Sequence, residues 1–223
     1  SYTGADVSNY SVTDQSSTTA NITAKSLTVS GITASDKIYD GSTSATLTGT
    51  AVYSGLVSGD IFTGSFSGVF SDKNVGTGKT VTITSSYSGA DVSNYSVTDQ
   101  SSTTANITAK SLTVSGITAS DKTYDGSTNV TLTGTAVYSG LVSGDTFTGS
   151  FSGVFANANV GTGKTVNITS SYSGADVNNY SVTDQSTTTA HITAKALTAT
   201  ASASNKTYDG GTTASTTLTF TGL

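Results

Sequence analysis

Few residues in this chain are of a type that could do chemistry. Lys37, Asn94 and Asp40 supply an amine, a carboxamide and a carboxyl group, the set that could close an intramolecular isopeptide bond with release of ammonia. The trio returns at Lys122, Asn179 and Asp125. Such a bond needs a neutral amine in a dry pocket and a protonated carboxyl beside the amide. The competing reading is a Lys whose stem lies over a sheet and an Asn that caps a turn. Asp36, Asp60 and Asp91 could share a Ca²⁺ with backbone carbonyls, since calcium takes hard oxygen donors. No acidic run has calcium-loop spacing, so solvated turn carboxylates are the plainer reading, and no other cofactor is expected. His191 stands where the earlier copies have Asn21 and Asn106, so no chemistry common to the copies depends on it. No Ser-His-Asp set recurs and an unactivated hydroxyl is a poor nucleophile, so the chain is not expected to be an enzyme. Gly76-Thr77-Gly78-Lys79-Thr80 resembles the end of a phosphate loop, which needs a Gly five positions before its last Gly and a following helix. Position 73 is Lys, position 158 is Ala, and a strand pattern follows, so a hairpin turn is expected there.

The elements that would position these groups are strands. The 223 residues carry 9 Lys and 14 Asp, with no Arg, Glu, Cys, Met, Trp or Pro, and a net charge of -5. A chain dominated by Ser, Thr, Gly, Val and Tyr favours strands and turns over helices. Absence of cysteine excludes disulfides and thiolate metal sites. An acidic balance without a basic run argues against nucleic acid. No apolar run reaches the roughly 18 residues of a membrane helix, and membrane insertion of this segment is not expected. With no leader and no initiating Met, the chain reads as an internal piece of something longer.

A repeat fixes the organisation. Residues 1–85 return as 86–170 with nine differences, so 76 of 85 positions are identical, and a third copy starts at Ser171. The triplet Tyr-Asp-Gly falls at Tyr39-Asp40-Gly41, Tyr124-Asp125-Gly126 and Tyr208-Asp209-Gly210. Placing the boundary at Lys25, Lys110 and Lys195 gives full units at 25–109 and 110–194. They are flanked by the end of a preceding repeat (1–24) and the start of a following one (195–223). A unit of 85 residues is longer than a solenoid repeat and reads as a domain.

Within a unit, short alternating stretches separated by Gly, Asn and Asp predict about seven strands. They run around Leu27, Leu47, Phe62 to Phe70, Val81, Tyr95 and Ala105, the pattern of a small immunoglobulin-like β-sandwich. Phe62, Phe66, Phe70 and their copies Phe147, Phe151, Phe155 are expected inside, with Ile61 and Thr146 outside. The substitutions Ile38/Thr123, Ile61/Thr146, Ser44/Asn129 and Thr82/Asn167 all fall on the face opposite predicted core positions. The triplet is expected to be a turn in which Asp-Gly supplies the positive φ of a hairpin and Tyr packs on the core. Ser71-Asp72-Lys73 becomes Ala156-Asn157-Ala158, so both charges of that loop read as dispensable.

The string Lys37-Ile38-Tyr39-Asp40-Gly41-Ser42-Thr43, then Ala45-Thr46-Leu47-Thr48-Gly49, Lys73-Asn74-Val75-Gly76-Thr77-Gly78-Lys79-Thr80-Val81, Asn94-Tyr95 and Thr104-Ala105-Asn106-Ile107-Thr108, resembles the YDG repeat domain. That domain occurs in tandem in large bacterial surface adhesins, including ones similar to filamentous haemagglutinin. The resemblance implies a secreted or cell-surface array, and names no host or matrix ligand. The joint Thr108-Ala109-Lys110-Ser111-Leu112 has almost no linker and should restrict bending. The expectation is therefore a rod-like stalk whose partners are neighbouring repeats, with self-association along strand edges. The alternative is a module that itself binds carbohydrate or ice through tyrosines or exposed Thr rows.

Overall fold

The computed structural model describes residues 1–223. The chain is all-β, with nineteen strands, three single-turn 3-10 segments and no α-helix. In the first repeat the strands are β1 (Lys25–Ala34), β2 (Lys37–Ile38), β3 (Ser44–Ala45), β4 (Leu47–Ser54), β5 (Thr63–Phe70), β6 (Gly76–Ser88), β7 (Tyr95–Thr98) and β8 (Ser102–Thr108). The second has β9 (Lys110–Ser115), β10 (Thr118–Ala119), β11 (Lys122–Thr123), β12 (Leu132–Thr133), β13 (Val137–Ser139), β14 (Thr148–Phe155), β15 (Gly161–Ser173), β16 (Tyr180–Thr183) and β17 (Thr187–Thr193). β18 (Thr198–Ala203) and β19 (Thr216–Thr221) follow. Contacts divide the chain into two compact units, one of residues 1–35, 45–69 and 80–104, the other of residues 36–44, 70–79 and 105–223. The second unit thus holds three segments of the first repeat together with all of the second.

In the first unit β1 is the centre of a three-stranded sheet, antiparallel to β4 and parallel to β7. Alternation along β1 sends Leu27, Val29 and Ile32 inward, where they pack with Phe62, Ile83 and Tyr95. Burying each such side chain contributes about 1.5–3 kcal/mol. The switch from odd to even positions comes from a bulge between Ser30 and Ile32. Gly31 occupies it at φ 83°, and a Cβ there would lie 2.6 Å from the carbonyl oxygen of Thr50. Gln100 ties the edge after the bulge, accepting from the Ile32 N–H at 3.0 Å and donating to the Ile32 carbonyl at 2.6 Å.

The second unit repeats this plan with β9 between β13 and β16, again antiparallel on one side and parallel on the other. Its other sheet runs in the order β11-β17-β15-β14, over a core of Phe155, Val166, Ala190 and Ile192. Glycines alternate with phenylalanines on the inner face of β14 because neighbours take their space. A Cβ at Gly153 would meet the Leu132 side chain at 2.7 Å. In the same unit β2 pairs in parallel with β8, at Lys37 and Ile107. β18 and β19 form an antiparallel hairpin with every residue exposed.

Several sequence expectations need correction. Phe66 and Phe151 are half-buried rather than buried, each packing edge-on against one tyrosine, Tyr87 or Tyr172. Gly76-Thr77-Gly78 is not a turn but the opening of β6. In the second copy the same stretch carries a register shift between Gly161 and Lys164, with Gly163 at φ 57°. The parallel pairs were not anticipated, since alternation alone reads as hairpins. Ile61 is 61% exposed and Thr146 is exposed, as the alternation requires.

Candidate functional site

The Tyr-Asp-Gly turn is built locally and used at a distance. Asp40 accepts at Oδ1 from the Ser42 N–H and hydroxyl and pairs with Lys37 at 2.7 Å, while Gly41 takes φ 80°. The strands on either side do not pair with each other, since β2 joins β8. Asp125 and Lys122 repeat the arrangement at 2.6 Å, and Asp209 with Lys206 at 2.8 Å. The turn therefore forms in every copy. What differs is the fate of the tyrosine it presents.

Tyr39 is 1% exposed although it packs outside its own repeat's first core. Within the second unit its ring meets Tyr180 edge-on at 5.6 Å, and its hydroxyl donates to Asp145 Oδ2 at 2.8 Å. The Tyr180 hydroxyl donates to the same oxygen at 2.5 Å and itself accepts from the Val142 N–H. Lys73 completes the group: its ammonium lies 2.8 Å from Asp176, 3.2 Å from Asp145 and over the Tyr39 ring. Beside it, the Asn179 carboxamide accepts from the Val75 N–H at 2.9 Å and donates to Asn74 at 3.2 Å. Gly41 lies close to Val142, where a Cβ would stand 2.9 Å from a methyl group. Residues from two successive copies thus form one joint, with aromatic, ionic and amide contacts.

The electrostatics follow from that geometry. Burial works to raise the Asp145 pKa, but hydrogen bonds from Tyr180, Tyr39 and Lys73 outweigh it and hold the carboxyl below its ordinary value. Asp176 is lowered by Lys73 and by the Thr146 N–H. Lys73 is raised, first by Asp176, then by Tyr39 and Asp145. Burial and the bond to Asp145 raise Tyr39, and push Tyr180 up to about 12. The joint is therefore assembled at neutral pH from two carboxylates, one ammonium and two neutral phenols.

The Lys73 charge is not dispensable in the sense the copy comparison implied, because it neutralises two acids from the next copy. Its loss at Ala158 leaves the second copy without an equivalent cation. Asp72 is different: Asp72 holds Lys79, and Asn157 holds Lys164 with an amide oxygen instead.

Asp36 binds the amide and side chain of Asn106, tying two segments of the second unit. Asp60 accepts from the Tyr95 hydroxyl and Asp91 from the Ile61 N–H, both in the first unit. They are the first-copy counterparts of Asp145 and Asp176, a relation the residue spacing of 85 discloses once the joint is known. No three carboxylates or imidazoles gather as a metal site would require. Lys37 donates to Ser42 and Ser44, and Asn94 is exposed in the turn after β6. Lys122 donates to Ser127 and Asn129, whereas Asn179 is engaged with Val75 and Asn74, so the structure does not bring Lys122 and Asn179 together. His191 Nδ1 accepts from the Gly163 N–H at 2.9 Å, the same bond that Asn106 makes with Gly78. A structural acceptor has simply changed residue type.

Tyr124 is 41% exposed, over a cleft of about 810 Å³ bordered by Asn159, Val160, Lys195, Leu197 and Leu223. Tyr208 is 93% exposed.

An all-β tandem repeat whose copies meet through a dedicated side-chain joint is the class these features define. The YDG domain family model matches residues 23–105 and 108–190, and the chain belongs to that family as two tandem YDG domains. No curated protein and no solved structure matches it.

Proposed function

We propose that this chain is a spacer: tandem domains, each a small immunoglobulin-like β-sandwich, arranged as a rod in the stalk of a secreted bacterial cell-surface adhesin or filament. Its task is to hold a distal binding region away from the cell, with neighbouring repeats as its partners and no enzymatic activity of its own. The observation that carries this reading is the joint at Tyr39. A ring 1% exposed and a lysine bound by two acids of the next copy restrain bending far more than a short linker alone. The motif that recurs most visibly is thus spent on connection rather than on a ligand.

The test is small-angle scattering of the full chain. Each repeat should add roughly 30–40 Å, from strands of about 8 residues at 3.3 Å each plus turns. A maximum dimension of two such lengths or more supports the spacer, and a particle one repeat long contradicts it. The alternative, a module for carbohydrate or ice, has one feature in its favour: a cleft of about 460 Å³ in the first unit lined by Leu47, Tyr53 and Phe66. Glycan binding or ice shaping by this chain alone would favour that alternative.

A further inference from the structure

Both complete repeats pair their starts with their ends, and always in parallel. In the second repeat the opening strand β9 runs parallel to β16, Lys110–Thr113 against Tyr180–Thr183. There β11 also runs parallel to the closing strand β17, Lys122 against Ile192 and Thr123 against Thr193. In the first, Lys25–Thr28 lies against Tyr95–Thr98 and Lys37–Ile38 against Ile107–Thr108. Side chains and single backbone bonds extend these contacts. Gln185 accepts from the Ile117 N–H at 3.0 Å and donates to the Ile117 carbonyl at 2.6 Å, as Gln100 does at Ile32. Asp121 accepts from the His191 N–H at 2.7 Å, as Asp36 does from Asn106. Beyond Lys122, the Tyr124 N–H donates to the Thr193 carbonyl at 2.8 Å, as Tyr39 does to Thr108.

This pairing decides how a repeat responds to tension. Pulling the second repeat by its own ends draws 110–124 in the N-terminal direction and 180–193 in the C-terminal direction. In a parallel pair those displacements slide one strand along the other, so every bond of the ladder shares the load and all must fail together. In an antiparallel hairpin pulled at its open end the bonds fail one after another, each carrying the load alone. The hairpin of β14 and β15 is such a case, open at Thr148 with Ser173 and closing toward Phe155 with Val166. Sliding also drags apolar side chains out of place. Leu112 and Ile192 sit in the two parallel pairs at 0% and 1% exposure, so movement along either strand exposes packed surface to water.

We propose that each repeat is a tension-bearing module and that its two parallel start-to-end contacts are the clamp. Gln185 and Asp121 fasten the clamp of the second repeat, and Gln100 and Asp36 that of the first. These four side chains bind backbone that the strand ladders leave unpaired, so they add bonds in line with the load. The proposal deepens the spacer reading by giving tension a path through the fold, while the pairing itself does not depend on that reading. Scattering reads length and pulling reads strength, so the two can fail separately. A compact particle with a strong clamp would remove the rod alone, and an extended one with a weak clamp would remove this proposal alone.

Single-molecule pulling of the full chain through introduced cysteines tests it, since the chain has none of its own. Handles at Ala109→Cys and Ala194→Cys load the second repeat end to end, and handles at Thr148→Cys and Ser173→Cys open the β14–β15 hairpin. All four positions are exposed, so neither pair of substitutions disturbs the core. Both pulls act on the same fold, and forced unfolding follows the barrier along the direction of loading, so a difference in force reports geometry and not overall stability. The expected result is a several-fold higher force end to end, with release of the 85 residues between the handles, roughly 280–310 Å of extended chain. Gln185→Ala should lower the end-to-end force and leave the hairpin force unchanged. Equal forces in the two directions would overturn the clamp. A Gln185→Ala variant that loses force equally in both directions, or in neither, would overturn the fastening role of Gln185.

Discussion

Removing the Tyr39 side chain should separate the joint from the turn that carries it, because Tyr124 has the same neighbours in sequence and a different surrounding. Tyr39→Ala deletes a ring that is 1% exposed, together with its stacking on Tyr180 and its bond to Asp145. Truncating a buried aromatic to Ala costs about 3–5 kcal/mol, including the cavity left behind. The bond to a charged acceptor accounts for about 1.5–3 kcal/mol in comparable cases, so Tyr39→Phe should recover much of the loss. Tyr124 is 41% exposed, and its removal should cost about 1 kcal/mol or less. For cooperative units of this size 1 kcal/mol moves the melting temperature by about 2–4 °C. Calorimetry of the full chain should therefore show Tyr39→Ala lowering the transition of the second unit by roughly 6–20 °C, with Tyr124→Ala within about 4 °C of the parent. Equal shifts for the two substitutions would refute the assignment of Tyr39 to a joint.

The carboxylates of the joint predict a pH profile. Asp145 and Asp176 have lowered pKa values, so their contribution is present above the ordinary 3.8 and is lost as pH falls through the lower folded values. Lys73 is raised from 10.5, so its contribution persists below that value and fades as pH rises through its folded pKa. Thermal stability of the second unit should be flat between these limits and fall in acid; Lys73→Ala should flatten the acid limb, because protonation then relieves repulsion between two unneutralised acids. Gly31→Ala should destabilise the first unit by more than about 1 kcal/mol in urea titrations, since φ is 83° and the Thr50 carbonyl leaves no room. Intact-mass spectrometry should return the sequence mass with no loss of ammonia, as Lys122 and Asn179 are held by different partners.

The strands were legible in the sequence because alternation reports which face is buried. Leu27 and Val29, Val81, and Ala105 with Ile107 all fall inside as the pattern demands. Partner choice was not legible. Nothing in Tyr95-Ser96-Val97-Thr98 distinguishes a parallel neighbour of β1 from a hairpin arm, since both show the same period of two. The triplet was legible as a turn through Asp40 and Gly41, but burial of Tyr39 depends on residues about a hundred positions later. Two identical motifs with different exposure cannot be told apart by local chemistry. The loop comparison misled for a related reason: the role of Lys73 lies in its pairing with Asp145 and Asp176, which the loop's own residues do not disclose.

Amide hydrogen exchange at Val75 and Val160 measures the joint most directly. The two amides lie in the same local sequence, Asn-Val-Gly-Thr-Gly-Lys-Thr-Val, and in the same turn before a long strand. The Val75 N–H donates to Asn179 of the next copy, and Val160 borders the open cleft. If copies are joined as described, exchange at Val75 requires the joint to open and should be slowed by orders of magnitude relative to Val160. Equal rates at the two positions would contradict the joint, and with it the spacer reading that rests on it.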